Sequence, residues 1–351
     1  MSYAPKGRNF SMAEYFERCY AEVKPEFHFA SGKFKDFGRW KKGLKSKLLE
    51  LLGKFPEGVP LNAEVIAEAD CGEYLRRKIV FDVEKHFSIP AWLLVPKGTG
   101  PEERRPAVLA LHGHGRFGKG SVAGIVGEGD ERQAEIRMHN YDYGVALATA
   151  GFVVLVPDSR VFGELRDGFD PFPGRDPCNI NFNKGLYIGK VLLTLNIWDM
   201  MKGIDFLQTL NFVDKSRIGA CGLSWGGTRT TYITALDERV KAAVIMGYMP
   251  KTVAYALEAN TCGSQFAPGI YKYADVSDVI GLIAPKPLQL QAGMDDTCFS
   301  IYEQKACINE VARIYKSAGA GDKLDIDIFS GGHQCHKEKL IEFFNKSLMG
   351  Q

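Results

Sequence analysis

The 351-residue chain has no run of about 18 consecutive apolar residues, the length that a membrane-crossing helix needs. Residues 1–20 hold no apolar stretch of signal-peptide length either, so the expectation is a cytoplasmic protein with no membrane partner. An excess of one charge is also missing. Forty-four Lys and Arg against 42 Asp and Glu leave +2, which gives no field to gather nucleic acid. The basic run Lys41, Lys42, Lys45 and Lys47 has helical spacing beside apolar neighbours and reads as a solvated face. The eight cysteines, at 19, 71, 178, 221, 262, 298, 307 and 335, include no C-x-x-C pair. That spacing favours reduced thiols over a disulfide frame or a zinc ribbon, and a bridge between Cys178 and Cys262 has no support from it.

What is present suits a folded enzyme: 45% hydrophobic and 25% charged residues over a length that can bury a large core. Residues 1–74 read as a helical extension packed on a main domain of 75–351. Ser11 to Glu14 has the form of a capping box, with Tyr15, Phe16, Cys19, Tyr20 and Val23 on one face. A second stripe follows at Phe37, Trp40, Leu44, Leu48 and Leu51, stopped by Gly53 and Pro56. From Leu75 the period becomes two, and 75–83 with 87–95 reads as an antiparallel hairpin. Apolar strands at 106–111, 152–157, 217–221, 242–246, 287–292 and 324–329 then alternate with helices at 134–150, 186–210, 225–236, 300–318 and 335–348. The expectation is an α/β fold with a mostly parallel eight-stranded sheet flanked by helices.

The fifth of these strands runs into Gly222-Leu223-Ser224-Trp225-Gly226, a G-x-S-x-G turn between strand and helix that presents a serine. After the seventh strand comes Gly293-Met294-Asp295-Asp296, and after the eighth comes Ser330-Gly331-Gly332-His333. Ligands in such sheets bind beyond the carboxyl ends of the strands, so the three segments can converge. The expected catalytic set is Ser224 as nucleophile, His333 as base and Asp296 as the acid that orients it. An oxyanion needs two backbone donors: the Trp225 amide, and that of Gly113 or His114 in His112-Gly113-His114-Gly115. Arg160 and Arg116 are candidate substrate contacts, Arg160 with an ion-pair role as its alternative.

Two competing chemistries share these residues. Gly113 to Gly118-Lys119 has phosphate-loop spacing, but Gly120 stands where Mg²⁺ binding needs Ser or Thr. His112, His114, His333 and His336 contain metal-ligand types, yet their strand-end positions already account for three of them; no metal or cofactor is expected.

On the His112–Gly115 loop, the serine turn, Gly293 with Asp296 and Gly332-His333, residues 75–350 resemble the α/β-hydrolase superfamily of serine esterases. The likeness is to its branch of dienelactone-hydrolase-like proteins and acetyl-xylan-esterase-like proteins. The resemblance implies ester hydrolysis, and its spacing puts the acid at Asp296, three residues after Gly293, rather than Asp295. Ser224 stands where dienelactone hydrolases carry cysteine. Arg160-Val161-Phe162, Trp225 and Gln334 depart from the subgroup of cephalosporin C deacetylase. Ser224-Trp225-Gly226-Gly227 also resembles the Ser-Tyr-Gly-Gly of prolyl-oligopeptidase-like peptidases, which makes a peptidase or amidase the alternative. A catalytically dead binding protein of the same fold is the alternative outside enzymes.

The three long strand-end loops shape the substrate expectation. The 113–133 loop is glycine-rich, with Gly127 and Gly129 among its glycines, and 247–284 is broken by Pro250, Gly263, Pro268 and Gly269. The 158–185 loop carries Asp158, Arg160, Glu164, Arg166, Asp167, Asp170, Arg175 and Asp176. Such loops suit a small ester with a polar or carbohydrate alcohol, and Trp225 beside the nucleophile favours a short acyl group.

Overall fold

Uninterrupted apolar runs set the centre of the sheet, because a strand covered on both faces has no polar side to show. The computed structural model describes residues 7–126, 131–166, 177–258 and 262–350. Its nine strands are β1 (Glu64–Asp70), β2 (Tyr74–Glu84), β3 (Phe87–Pro96), β4 (Arg105–Leu111), β5 (Val153–Pro157), β6 (Val213–Leu223), β7 (Val240–Met246), β8 (Leu288–Gly293) and β9 (Leu324–Phe329). They lie in the order β1-β2-β3-β5-β4-β6-β7-β8-β9. The pairs β1–β2, β2–β3 and β3–β5 are antiparallel, and the rest are parallel. The order reverses at β4: β5 lies on one side of it and β6 on the other, which opens a crevice at their carboxyl ends.

Side chains along β4 divide between the two faces. Ala107, Leu109 and Leu111 join the core that holds Leu193 and Ile197 of helix Leu192–Thr209, Ile233 of helix Trp225–Leu236 and Ile308 of helix Ile301–Ser317. Val108 and Ala110 join the opposite core, under Leu147 of helix Tyr143–Thr149 and Phe344 of helix Lys337–Phe344.

The sheet has nine strands where eight were expected. The additional one, β1, is exposed at all seven positions, so it leaves no buried face to impose a hydrophobic period. The helix expected at 134–150 is two, Glu131–His139 and Tyr143–Thr149, because Asn140 adopts φ 48° between them. Likewise helix Pro177–Leu186 ends before Leu192–Thr209 begins, with Gly189 at φ 71° in the gap.

The two N-terminal helices differ in what they bury. Helix Met12–Glu22 is capped by Ser11, which accepts from the Glu14 amide at 3.2 Å, but it has no buried residue; Tyr15 and Phe16 are exposed. Helix Phe37–Leu52 buries Trp40, Leu44, Leu48 and Leu52 and ends at Gly53 with φ 73°. Trp40 is the anchor: fully buried, edge-on to Phe29 at 4.9 Å, its Nε1 donating to the Phe27 carbonyl at 2.7 Å. Trp40→Ala therefore lowers unfolding free energy by about 3–5 kcal/mol, the usual loss for a buried aromatic. Urea titration reads it, and an unchanged midpoint removes this helix from the cooperative core.

Candidate active site

The serine turn follows β6 and is built by two close approaches. A Cβ on Gly222 would lie 2.4 Å from the Gly226 carbonyl, and one on Gly226 would lie 1.9 Å from the Leu111 carbonyl. Only glycine lets helix Trp225–Leu236 start so near β4. Between them Ser224 adopts φ 59°, ψ −118°, a conformation that costs a non-glycine residue about 1–3 kcal/mol. Its amide donates to the Met246 carbonyl at 2.9 Å, and its side chain makes no cap bond.

Asp296 and His333 meet after β8 and β9. His333 Nδ1 lies 2.8 Å from Asp296 Oδ2, while Asp296 Oδ1 accepts from the amides of Cys298 and Phe299 at 2.8 and 2.9 Å. Burial works to raise the Asp296 carboxyl, but His333 and the two amides outweigh it and hold the group below its ordinary value. The loops can close because Gly293 has no side chain; a Cβ there would lie 2.2 Å from the Gly332 carbonyl. Asp295 next door is exposed. The His333 ring packs on Gly247, where an added Cβ would come 2.9 Å from Cε1. Gly247 adjoins Met246, the acceptor for Ser224, so nucleophile and imidazole share one wall of the crevice. His139 braces the histidine from behind, with Nδ1 2.6 Å from the His333 carbonyl oxygen.

The loop after β4 completes the crevice. A Cβ on Gly113 would lie 3.2 Å from Ser224 Cβ, so this loop crosses beside the serine. Gly113 and His114 stood as alternative amide donors, but the Gly113 amide already donates to Tyr141 Oη at 2.5 Å. That corrects the Gly113 alternative and leaves the His114 amide. Trp225 stands at the first position of its helix, where amides lack intrahelical acceptors. Its indole is fully buried, with Nε1 donating to Ser159 Oγ at 3.0 Å. The expectation that this ring limits the acyl chain is therefore corrected: it packs into the core.

Several polar residues expected near substrate serve the loops instead. Arg160 is clamped by Asp199 through two bonds of 2.7 Å, by Glu84 at 2.7 Å, and over the Phe87 ring at 4.2 Å. It ties the loop after β5 to helix Leu192–Thr209, the ion-pair alternative, and this corrects the substrate-contact expectation. Lys119 is buried and pairs with Asp158 at 2.5 Å and with Glu164, so no phosphate is needed to explain it. Arg116 is exposed and pairs with Glu131 at 3.0 Å. Asp167, Asp170, Arg175, Asp176, Gly127 and Gly129 lie outside the described residues.

His112 is a neutral clamp. It is fully buried, and burial drives its pKa well below the ordinary value. Nε2 accepts from the Ser159 amide at 2.9 Å, which leaves Nδ1 to donate to the Gly113 carbonyl at 2.7 Å. Sequence reasoning missed Arg229, also fully buried, which donates to the His112 carbonyl and lies over the Trp225 ring at 5.3 Å. It missed Tyr141 as well. A third gathering joins His114, Cys178 and Cys262, whose ligand-type atoms lie within 4.8 Å of one another. All eight cysteines are thiols, so Cys178 and Cys262 are neighbours without a bridge. The Cys262 thiol is pulled down to about 5, first by its hydrogen bond with Cys178, against desolvation, and then by His114.

A cavity of about 590 Å³ lies between helices Met12–Glu22, Pro177–Leu186 and Trp225–Leu236, lined by Phe16, Tyr20, Phe182, Tyr232 and Tyr255 among others, but by neither Ser224 nor His333. No described helix is long and apolar enough to cross a membrane.

Comparison with known proteins agrees with this architecture. "Putative hydrolase YtaP" of Bacillus subtilis strain 168 is 27% identical over 298 residues, 82% of this chain and 92% of its own length. The crystal structure of a "putative acetyl xylan esterase" from Bacteroides fragilis NCTC 9343 superposes with a TM-score of 0.76 at 18% identity, covering 93% of this chain and 84% of that one. A glucuronoyl esterase from Solibacter usitatus gives 0.65 at 16% identity, over 93% and 99%. At such identities the two structures speak for the fold. The sequence profile of the abhydrolase family matches residues 2–330, nearly the whole chain; with the sheet order and the serine turn described above, the chain belongs to the abhydrolase family and has the α/β-hydrolase fold.

Proposed function

We propose that the protein is a serine esterase that cleaves short-acyl esters of a polar or carbohydrate alcohol. The observation that carries the reading is the part-buried Asp296–His333 bond in the crevice that also presents Ser224. In this mechanism Ser224 Oγ attacks the ester carbonyl carbon while His333 Nε2 takes its proton. The oxyanion is held by the amides of Trp225 and His114. Collapse breaks the bond to the alcohol oxygen, which receives the proton back from His333. Water then repeats the sequence on the acyl-enzyme and releases the acid. Asp296 keeps the ring in the tautomer with Nδ1 protonated and stabilises the imidazolium between steps.

The substrate class draws support from the resemblance to proteins named as an acetyl xylan esterase and a glucuronoyl esterase. The test is kcat/KM over nitrophenyl esters of increasing chain length, with an acetylated sugar, a methyl glucuronate ester and an aminoacyl anilide alongside. Acetyl and propionyl esters turn over faster than octanoyl, and the anilide barely reacts. Preference for long chains defeats the short-acyl reading, preference for the glucuronate moves the sugar to the acid side, and efficient anilide cleavage makes the enzyme a peptidase.

A further inference from the structure

The His114–Cys178–Cys262 gathering has no part in the ester mechanism beyond the His114 amide. Its members come from three separate segments that wall the crevice: the loop after β4, helix Pro177–Leu186, and the loop after β7. Cys178 and Cys262 are buried while His114 is exposed, so an ion can enter from the histidine side. Two thiolates and an imidazole are the donor set that suits Zn²⁺ and disfavours Mg²⁺ or Ca²⁺. On one tetrahedral zinc such donors stand about 3.5–3.8 Å apart, given bonds of about 2.3 Å to sulfur and 2.0–2.1 Å to nitrogen. The separations here, all within 4.8 Å, need small side-chain rotations only.

We propose that His114, Cys178 and Cys262 bind a thiophilic divalent cation of the Zn²⁺ class, with the fourth position open to water. The bound ion is held by two thiolates, so uptake releases to solvent whatever protons the thiols still carry and leaves a site with no net charge. The ion then ties together the three crevice walls, including His114, the proposed oxyanion donor.

Co²⁺ titration of the reduced, metal-free protein tests this without any substrate. One equivalent of Co²⁺ binds with proton release and produces a thiolate-to-cobalt charge-transfer band with intense visible d–d bands of a tetrahedral site, and Zn²⁺ then displaces the cobalt and removes the bands. Cys262→Ser abolishes the charge-transfer band or weakens binding at least about tenfold, a difference of 1.4 kcal/mol. His114→Ala, at an exposed position, weakens binding similarly. Asp296, Cys298 and His333 also lie within 4.8 Å of one another, so Cys298→Ser is the control, and it leaves the band in place. An unchanged band with unchanged cobalt affinity in Cys262→Ser, or a band that disappears in Cys298→Ser, overturns the proposal. So does a reduced protein that takes up no cobalt, or one whose Cys178 and Cys262 pair as a disulfide in preference to binding metal.

Discussion

Ser224→Ala lowers kcat for a nitrophenyl ester by on the order of 10⁶-fold, the scale seen when a triad nucleophile is deleted. The fold survives, because the Ser224 side chain caps nothing and the positive φ is supported by the glycines at 222 and 226 and by the bond to Met246. The decisive readout is covalent: a serine-directed phosphonate adds its mass to the wild-type peptide that contains Ser224, and the alanine variant stays unlabelled. Label on another peptide, or an alanine variant that still turns over ester, would end the triad assignment.

Asp296→Asn lowers kcat by about 10⁴-fold, while Asp295→Asn changes it by less than about twofold. The asparagine carbonyl can keep the bonds from the Cys298 and Phe299 amides, so geometry is held. What changes is the group facing His333 Nδ1, which no longer stabilises the imidazolium. The same variant has a second signature. The Asp296 carboxyl sits below its ordinary value of 3.8 in the folded protein, so the stability it adds is fully present above that pH and is lost as pH falls through the depressed value. Urea midpoints measured down to about pH 3 therefore fall more steeply for wild type than for Asp296→Asn. Equal acid slopes, or the larger kinetic loss in Asp295→Asn, would move the role away from Asp296.

The parts of this molecule that were legible in its sequence are those where burial imposes a pattern. β4 and β5 are enclosed on both faces and show it as apolar runs, whereas β8 is as fully buried yet carries Gln289 and Gln291. The crevice loops after β4 and β5 could be located because each follows such a run. β1 shows nothing of the kind, since all its residues are exposed, and the break at Asn140 depends on one backbone angle. The supporting shell was hidden for another reason: Tyr141 and Arg229 act through contacts between residues 28 and 117 positions apart, which no local spacing records. Arg160 shows the converse. Its place at a strand end suggested substrate, but Asp199 and Glu84, distant in sequence, already neutralise it.

β1 forms one margin of the sheet, and within it Glu64, Glu68 and Asp70 are acidic while no residue is basic. Its partner offers Arg76, Arg77 and Lys78 in register, with Arg77 bonded to Glu68. Attraction thus holds the strand from inside, while a second copy arriving at the outer margin would set carboxylates against carboxylates. A bulge between Val65 and Ala67 spoils the straight template as well. Together they guard the margin against fibre-like stacking without a covering helix, and the guard is electrostatic, so it weakens wherever acid or high salt quenches the carboxylates.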